Sequence, residues 1–218
     1  MSLLTTTCPA TCEVCHGKGY IEHEDGIEIC PNDPRKYYDT GVELEDKSIP
    51  GLLKKTNALT AIQSAMSELI KAGYGMVYLQ GDYGIGKTVF AKSFTVDAVI
   101  GYGSALYRRQ SELVNYLRAS YDNEHGQSEY KHRLDRFKGV KWLVIDEVGR
   151  DRLTDFGVES MAELIDARYQ GALKKQLMTV LISNKAPEDV FEAYVVDRIR
   201  DTKMRMLVLK SKSQRSVR

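Results

Sequence analysis

The chain has 218 residues, which is enough for one sizeable hydrophobic core and a small appendage. With 43% hydrophobic and 28% charged residues, its composition is typical of a globular protein, and no segment approaches the roughly 18 consecutive apolar residues of a membrane-spanning helix. The N-terminal residues lack the basic region and apolar core of a secretory signal, so we expect a cytoplasmic protein without membrane contact.

The formal net charge of +1 conceals an asymmetry along the chain. Residues 1–50 carry 4 Lys/Arg and 10 Asp/Glu, whereas residues 51–218 carry 27 and 20. Six basic residues and no acidic one lie between Lys203 and Arg218. A basic domain with a basic tail indicates a polyanionic partner, although a solvated basic surface has the same composition.

All four cysteines lie within the first thirty residues: Cys8, Cys12, Cys15 and Cys30. Cys12 and Cys15 belong to a CxxCxGxG segment, whose glycines allow the sharp turns that bring two thiolates onto one metal ion. Cys30 follows a short segment that can return as a hairpin. The pattern predicts a structural zinc site with these four cysteines as ligands and no open position for catalysis.

The fourth zinc ligand is the least constrained by spacing. Cys8 is the first choice, and His16 and His23 are alternatives. Disulfides are disfavoured in a cytosolic protein, a redox CxxC would need a thioredoxin-like βαβ unit, and unliganded core cysteines do not usually cluster. Because a head this small buries little apolar surface, metal binding would supply its folding energy.

Proline, glycine and acidic residues are frequent between residues 31 and 56, as in linkers and loops. We therefore predict a boundary near residue 50, which separates a zinc-binding N-terminal head and linker (1–50) from a second domain (51–218).

In the second domain, apolar periodicity predicts helices and strands in alternation. Asn57 is expected to cap a helix that ends at Gly73, and the polar residues 122–139 are expected to be mobile. The other predicted elements are strands at 76–80, 104–107, 140–147 and 178–183, and helices after residue 88, at 111–118 and at 156–169. This order predicts an α/β fold with a parallel sheet flanked by helices.

Residues 81–88 match the phosphate-binding pattern GxxxxGK[ST] between a predicted strand and a predicted helix. The glycines let successive N–H groups converge on phosphates, Lys87 reaches the β- and γ-phosphates, and the Thr88 hydroxyl binds Mg²⁺. The predicted ATP-binding residues are Gly81, Asp82, Tyr83, Gly84, Ile85, Gly86, Lys87, Thr88 and Val89.

Polar side chains also follow two later apolar strands. Asp146 ends the strand at 140–147 and is predicted to hold the water shell of Mg²⁺, while Glu147 is predicted to act as the general base toward water. Asn184 follows the strand at 178–183 and is a candidate sensor of the γ-phosphate. With Lys87, these residues predict Mg²⁺-dependent ATP hydrolysis.

The order of phosphate loop, Asp-Glu strand, Ser-Asn sensor and the late Asp-Arg-Ile-Arg segment at 197–200 resembles the AAA+ ATPases. Within them, Asp-Glu-Val-Gly at 146–149 and the short tail resemble the DnaC/DnaI helicase-loader and IstB transposition-helper group. The resemblance covers roughly residues 50–218, and zinc-bearing heads that contact the replicative helicase also occur among such loaders. We do not expect the helical lid that follows the sensor in many AAA+ proteins, which this group also lacks.

The resemblance implies further site residues. Arg198 occupies the position of an arginine finger that acts on the ATP of a neighbouring subunit, unless it forms a surface salt bridge with Asp197 or Asp201. Arg215 resembles a sensor-2 arginine. A channel for single-stranded DNA would be lined by residues that a solvated helix-capping turn explains equally well: Arg150, Arg152, Thr154 and Phe156.

The resemblance implies a loader that binds the replicative DNA helicase and single-stranded DNA and forms ATP-dependent oligomers. A transposition helper that binds duplex DNA and recruits a transposase is the second reading. A DnaA-like initiator is disfavoured because no duplex-reading domain follows, and an inactive zinc adaptor is disfavoured because the ATPase residues are present. ATP, Mg²⁺ and Zn²⁺ are the expected cofactors.

Overall fold

The computed structural model describes residues 8, 10–23, 26–30, 32–33, 39–47, 56–120 and 126–210. Within these ranges the strands are β1 (Tyr20–His23), β2 (Gly26–Ile29), β3 (Gly75–Gly81), β4 (Ala105–Arg109), β5 (Trp142–Val148), β6 (Met178–Ser183) and β7 (Arg205–Leu209). The α-helices are α1 (Asn57–Ala72), α2 (Lys87–Tyr102), α3 (Gln110–Arg118), α4 (Gly126–Gly139), α5 (Asp155–Leu173) and α6 (Ala193–Arg200).

Five strands form one sheet in the order β4-β5-β6-β3-β7, and every neighbouring pair is parallel. Strands β1 and β2 form a separate antiparallel hairpin. In the large sheet, β3, β5 and β6 are central and parallel, so their carboxyl ends lie at the same edge. Asp82 and Asn184 directly follow β3 and β6, and Glu147 is the penultimate residue of β5. The predicted parallel α/β fold is confirmed.

Buried apolar side chains cover both faces of the sheet, as expected for parallel strands. On one face, Val77, Val144 and Val180 pack in a cluster with residues of α1 and α2. On the other face, Tyr78, Ile145 and Leu181 pack with residues of α3, α4, α5 and α6. The alternation along each strand produces the two clusters, because successive side chains point to opposite faces.

The N-cap of helix α1 lies one residue earlier in the chain than predicted. Thr56 is the N-cap, and its hydroxyl oxygen accepts a hydrogen bond from the Leu59 amide at 3.2 Å, so Asn57 is the first helical residue. Gly73 is the C-cap with φ of 74°, a left-handed conformation that glycine adopts without steric cost. The predicted end of this helix is confirmed.

The prediction that residues 122–139 are mobile is wrong for residues 126–139, which form α4. Leu134 and Phe137 are the apolar contacts of this polar helix with the core. Arg168 of α5 is fully buried and donates hydrogen bonds to the carbonyls of Phe137, Lys138 and Val140 at the end of α4. Burial lowers the pKa of Arg168 to about 9. Tertiary contacts therefore stabilise α4, whose sequence by itself is only weakly amphipathic.

Part of the predicted linker packs on the α/β domain. Val42 belongs to the core cluster that contains α1 and α2, and the Tyr107 amide donates to the Thr40 carbonyl at 2.7 Å. The short 3₁₀ helix Leu44–Lys47 follows, and its Asp46 carboxylate lies 3.3 Å from the Lys92 ammonium of α2. We call residues 39–47 the strap; the domain boundary near residue 50 stays a prediction.

Among the helices in the described ranges, none combines the length and the apolar character needed to cross a bilayer.

Candidate nucleotide and metal sites

The phosphate-binding loop connects the end of β3 to the start of α2. Gly84 and Gly86 have φ angles of 76° and 97°, so both occupy the left-handed region that side chains disfavour. Gly81 is required for a steric reason, because a Cβ there would lie 2.7 Å from the Leu209 carbonyl oxygen of β7. The loop thus presents its amides at the N-terminus of a 16-residue helix, where anions bind favourably.

The side chains of the other predicted ATP-binding residues differ in burial. Ile85 is buried among the core residues beside α2, whereas Asp82, Tyr83 and Thr88 are exposed and Val89 is half-buried. Tyr83 is 62% exposed, which leaves its ring free to contact a ligand or a second chain. Ile85 therefore anchors the loop, and the exposed residues face outward.

Lys87 joins the loop to the predicted sensor. Its ammonium donates to the carbonyls of Gly81 at 2.7 Å and Asp82 at 2.8 Å, and to the Asn184 amide oxygen at 2.9 Å. Burial lowers the pKa of Lys87, and the nearby carboxylates of Asp146 and Asp82 oppose that shift. The structure therefore brings together two residues that are 97 positions apart.

Asp146 is buried, and its carboxylate accepts hydrogen bonds from three donors among the described residues. Its Oδ2 accepts from the hydroxyls of Thr88 and Tyr107, each at 2.6 Å, and its Oδ1 accepts from the Glu147 amide at 2.7 Å. A hydroxyl and a carboxylate are the hard oxygen ligands that Mg²⁺ prefers, and they adjoin the phosphate loop. Thr88 and Asp146 thus fit the predicted magnesium site.

Glu147 has an unusual backbone. Its φ of 55° is left-handed, and the pairing of β5 with β6 shifts register between Ile145 and Val148. A non-glycine residue in this conformation costs free energy and is frequent at functional sites. The Glu147 carboxylate lies 2.6 Å from the Arg150 guanidinium and 3.8 Å from that of Arg109. The bulge therefore turns this carboxylate away from the strand and into a basic environment.

Residues at the junction of β4 and α3 contact the acidic motif, and none of these supporting residues was predicted as a site residue. Tyr107 contacts Asp146, Arg109 lies near Glu147, and the Gln110 amide oxygen accepts from the Gly149 amide at 2.7 Å. The signal available in the sequence was the polar end of the strand at 104–107. It becomes informative only when the sheet order is known, because that order places β4 beside β5.

Arg198 lies on α6, and its partners among the described residues belong to neither the phosphate loop nor the acidic motif. Its guanidinium donates to the Asp166 carboxylate and, at 3.0 Å, to the Tyr194 carbonyl. It also lies over the rings of Tyr169 and Tyr194, 5.8 and 5.7 Å from their centroids. The Asp166 hydrogen bond raises the pKa of Arg198. The intramolecular carboxylate is thus Asp166 rather than Asp197 or Asp201.

Two of the predicted DNA contacts are exposed arginines that precede α5. Arg150 pairs with Glu147, and this hydrogen bond raises the pKa of the guanidinium. Arg152 is exposed. A role for either side chain at DNA stays a prediction.

The other two predicted DNA contacts lie at the start of α5. Thr154 is the N-cap residue, and its hydroxyl accepts from the Arg118 guanidinium at 2.7 Å. Phe156 is half-buried and meets the Tyr130 ring edge-on, with 5.7 Å between centroids. Both contacts are those of a helix start that packs on its own domain, so a DNA role stays a prediction here too. Arg215 lies outside the described residues.

The four cysteines form one buried cluster. All four Sγ atoms lie within 4.8 Å of one another, with Cys8–Cys30 and Cys12–Cys30 separations of 3.8 Å, and none forms a disulfide. Four ligands about 2.3 Å from a tetrahedral zinc ion would lie about 3.8 Å apart. The donor set and its spacing therefore fit structural zinc, and Cys8 rather than His16 completes the cluster.

The backbone around the cluster has the turns that the glycines predict. His16, Gly17 and Gly19 have φ angles of 51°, 85° and 75°, and the Gly19 amide donates to the Cys15 sulfur at 3.3 Å. The pKa of the Cys12 thiol is lowered to about 6, and the largest cause is a hydrogen bond from the Cys15 backbone. The lower pKa favours the thiolate, which is the form that binds a metal ion.

Comparison with known proteins adds a family match. A family model described as "IstB-like ATP binding protein" matches residues 63–205, which include the phosphate loop, the acidic motif, Asn184 and Arg198. A search of curated proteins found no match.

Solved structures of replication proteins are among those that share the fold. AMPPCP-bound DnaA from Aquifex aeolicus has a TM-score of 0.60, is 14% identical, and covers 75% of this chain and 49% of its own. DnaA bound to AMPPCP and single-stranded DNA has a TM-score of 0.57, 16% identity and coverages of 72% and 46%. The DnaC helicase loader has a TM-score of 0.57, 18% identity and coverages of 81% and 99%. The chain thus spans about half the length of the DnaA structures. The shared fold and the family match together confirm the predicted AAA+ fold.

Proposed function

The chain belongs to the IstB-like ATP binding protein family, and from this premise we propose that it is an AAA+ ATPase that loads a replicative DNA helicase onto single-stranded DNA. The supporting observation is the extent of the likeness to the DnaC helicase loader, which spans 99% of that chain. The likeness to DnaA covers less than half of the DnaA chain bound to single-stranded DNA.

ATP hydrolysis follows from the residues around the loop. Lys87 binds the β- and γ-phosphates and exchanges its carbonyl and amide acceptors for phosphate oxygens. Glu147 accepts a proton from the attacking water, and Asn184 orients that water. Thr88 and Asp146 would hold Mg²⁺, which neutralises charge on the phosphates when bound.

Arg198 acts on the nucleotide of a neighbouring subunit. Its own chain occupies it with Asp166 and Tyr194, away from the Lys87 site, so a finger role requires a second copy. We therefore propose ATP-dependent oligomers. In mixtures of Arg198→Ala with Lys87→Ala subunits, shared sites should regain turnover, because each variant supplies the group that the other lacks. Turnover of Arg198→Ala alone at the unmutated rate would contradict the finger.

The cysteine cluster forms a zinc-binding head that contacts the helicase. The head carries most of the acidic excess of residues 1–50, whereas the rest of the chain is basic. This separation suits a chain that binds a protein with one part and a polyanion with the other.

The first experiment is a pull-down from the native host with tagged Glu147→Gln, which should bind ATP and hydrolyse it slowly. Recovery of a hexameric replicative helicase that is lost when Cys12 and Cys15 become serine would support the loader function. Tagged Glu163→Gln, which changes an exposed carboxylate paired with Lys138, is the matched control. Recovery of neither helicase nor DNA would contradict the proposal.

The second candidate is a transposition helper that binds duplex DNA and recruits a transposase. The specific observation in its favour is the family model itself, which is described by its likeness to IstB. Fluorescence anisotropy with labelled single-stranded and duplex DNA of equal length separates the two candidates. Tighter ATP-dependent binding of duplex, with a transposase in the pull-down, would replace the first proposal with the second.

A further inference from the structure

Tyr107 links the edge strand of the sheet to the predicted magnesium site. Its side chain is only 5% exposed, and its hydroxyl donates to Asp146 Oδ2 at 2.6 Å. The Thr88 hydroxyl donates to the same oxygen at the same distance. One carboxylate oxygen therefore has two hydroxyl donors, one from the phosphate loop and one from outside it.

The geometry of the sheet brings Tyr107 to this position. Tyr107 pairs with Val144 in the register of β4 and β5, and Asp146 lies two residues further along β5 on the same face. The Lys92 ammonium lies over the Tyr107 ring, 5.5 Å from its centroid, and is itself paired with Asp46 of the strap. The ring is thus held between the sheet and α2, which leaves the hydroxyl little freedom.

We propose that Tyr107 is a positioning residue for Mg²⁺: its hydroxyl holds the Asp146 carboxylate so that Oδ2 stays directed at Thr88. Donors on both oxygens fix the plane of the carboxylate, because the Glu147 amide holds Oδ1 at 2.7 Å. Without the tyrosine hydroxyl, the Thr88 hydroxyl and that amide are the donors that remain among the described residues. Groups that orient a metal-binding carboxylate typically change metal affinity by 10- to 100-fold on removal.

This inference rests on ATP hydrolysis by the chain and not on the partner that it serves. It fails or stands separately from the helicase-loading proposal, because its test contains neither helicase nor DNA. The competing explanation is that Tyr107 only satisfies a buried carboxylate, in which case its loss would change stability and leave the Mg²⁺ requirement unchanged.

The test compares Tyr107→Phe with Tyr78→Phe in the full chain. Tyr78 is another buried tyrosine of the sheet, and its hydroxyl donates to the Lys185 carbonyl at 3.0 Å, so its loss controls for the removal of a tyrosine hydroxyl that donates a hydrogen bond. Isothermal titration calorimetry measures ADP binding over a range of Mg²⁺ concentrations and in EDTA. Thermal melts of both variants without nucleotide establish a temperature at which both are folded.

For Tyr107→Phe we expect the Mg²⁺ concentration at half-maximal ADP binding to rise about 10-fold. Binding in EDTA should stay unchanged, and saturating Mg²⁺ should restore full ADP binding, which it would not do for a misfolded fraction. Tyr78→Phe should keep the unmutated Mg²⁺ dependence. An unchanged Mg²⁺ dependence in Tyr107→Phe, or a defect that persists in EDTA or at saturating Mg²⁺, would overturn the proposal.

Discussion

The nucleotide site and the cysteine cluster both hold polar groups close together, but they do so by different means. The nucleotide site is placed by a parallel sheet with a large apolar cluster on each face. In the described part of residues 8–33, the buried cluster consists of the four cysteines themselves. The nucleotide site is therefore positioned by an apolar core that contains none of its polar ligand-binding side chains, whereas in the cysteine cluster the metal-binding side chains themselves form the core. The first should tolerate loss of its ligand, and the second should not.

The largest expected effect is unfolding of the zinc-binding head while the ATPase domain stays folded. With Cys12 and Cys15 both changed to serine, zinc content measured by plasma mass spectrometry should fall from one ion per chain to none. The head should unfold, since apparent zinc-binding free energies in small domains are about 10–16 kcal/mol. The melting temperature of the ATPase domain should change little. If that domain melted together with the head, the two regions would not differ as described.

A smaller effect, confined to the rate of ATP hydrolysis, is expected for Glu147→Gln. Turnover should fall by about 10²- to 10⁴-fold, because the amide cannot accept a proton from water. ADP affinity and zinc content should remain at the values of the unmutated chain. Single-turnover hydrolysis is the measurement, with Glu163→Gln as the control. Retained turnover would assign the base to another residue.

The next largest effect is expected from a substitution that creates a cavity beside the sheet. Leu79 of β3 is fully buried in the cluster that faces α1 and α2. Leu79→Ala should lower the free energy of unfolding of the ATPase domain by about 2–5 kcal/mol, measured by urea denaturation. Zinc content should not change, because the cysteines do not depend on this core. Zinc loss in folded Leu79→Ala would show that the head needs the sheet.

The smallest effect is expected in the strap, which lies between the two regions. The Asp39 carboxylate contacts Arg108 at 2.7 Å and Arg136 at 2.5 Å, and its side chain is about half exposed. Asp39→Asn should cost about 0.5–1 kcal/mol of stability at low salt and less at high salt. Asp135→Asn, whose nearest cation is 4.0 Å away, is the control. A cost that did not depend on salt would argue against ion pairing.

Local sequence patterns predicted the elements that depend only on residues close together in the chain. The phosphate loop, the strands around it and the capped end of α1 follow from glycine placement and apolar periodicity, and the structure agrees. Helix α4 was missed because only two of its side chains are buried, and the carbonyls at its end depend on Arg168 of another helix. A local pattern contains no information about such a distant donor.

The candidate site divides in the same way. By itself, the sequence determined which groups exist: the glycines of the loop, Lys87, two adjacent carboxylates at a strand end and four cysteines near the N-terminus. Only the tertiary structure decided their partners, such as Asn184 for Lys87, Tyr107 for Asp146 and Asp166 for Arg198. The physical reason is that backbone conformation depends on neighbouring residues, whereas these partners are set by the order of strands in the sheet and the packing of helices on it.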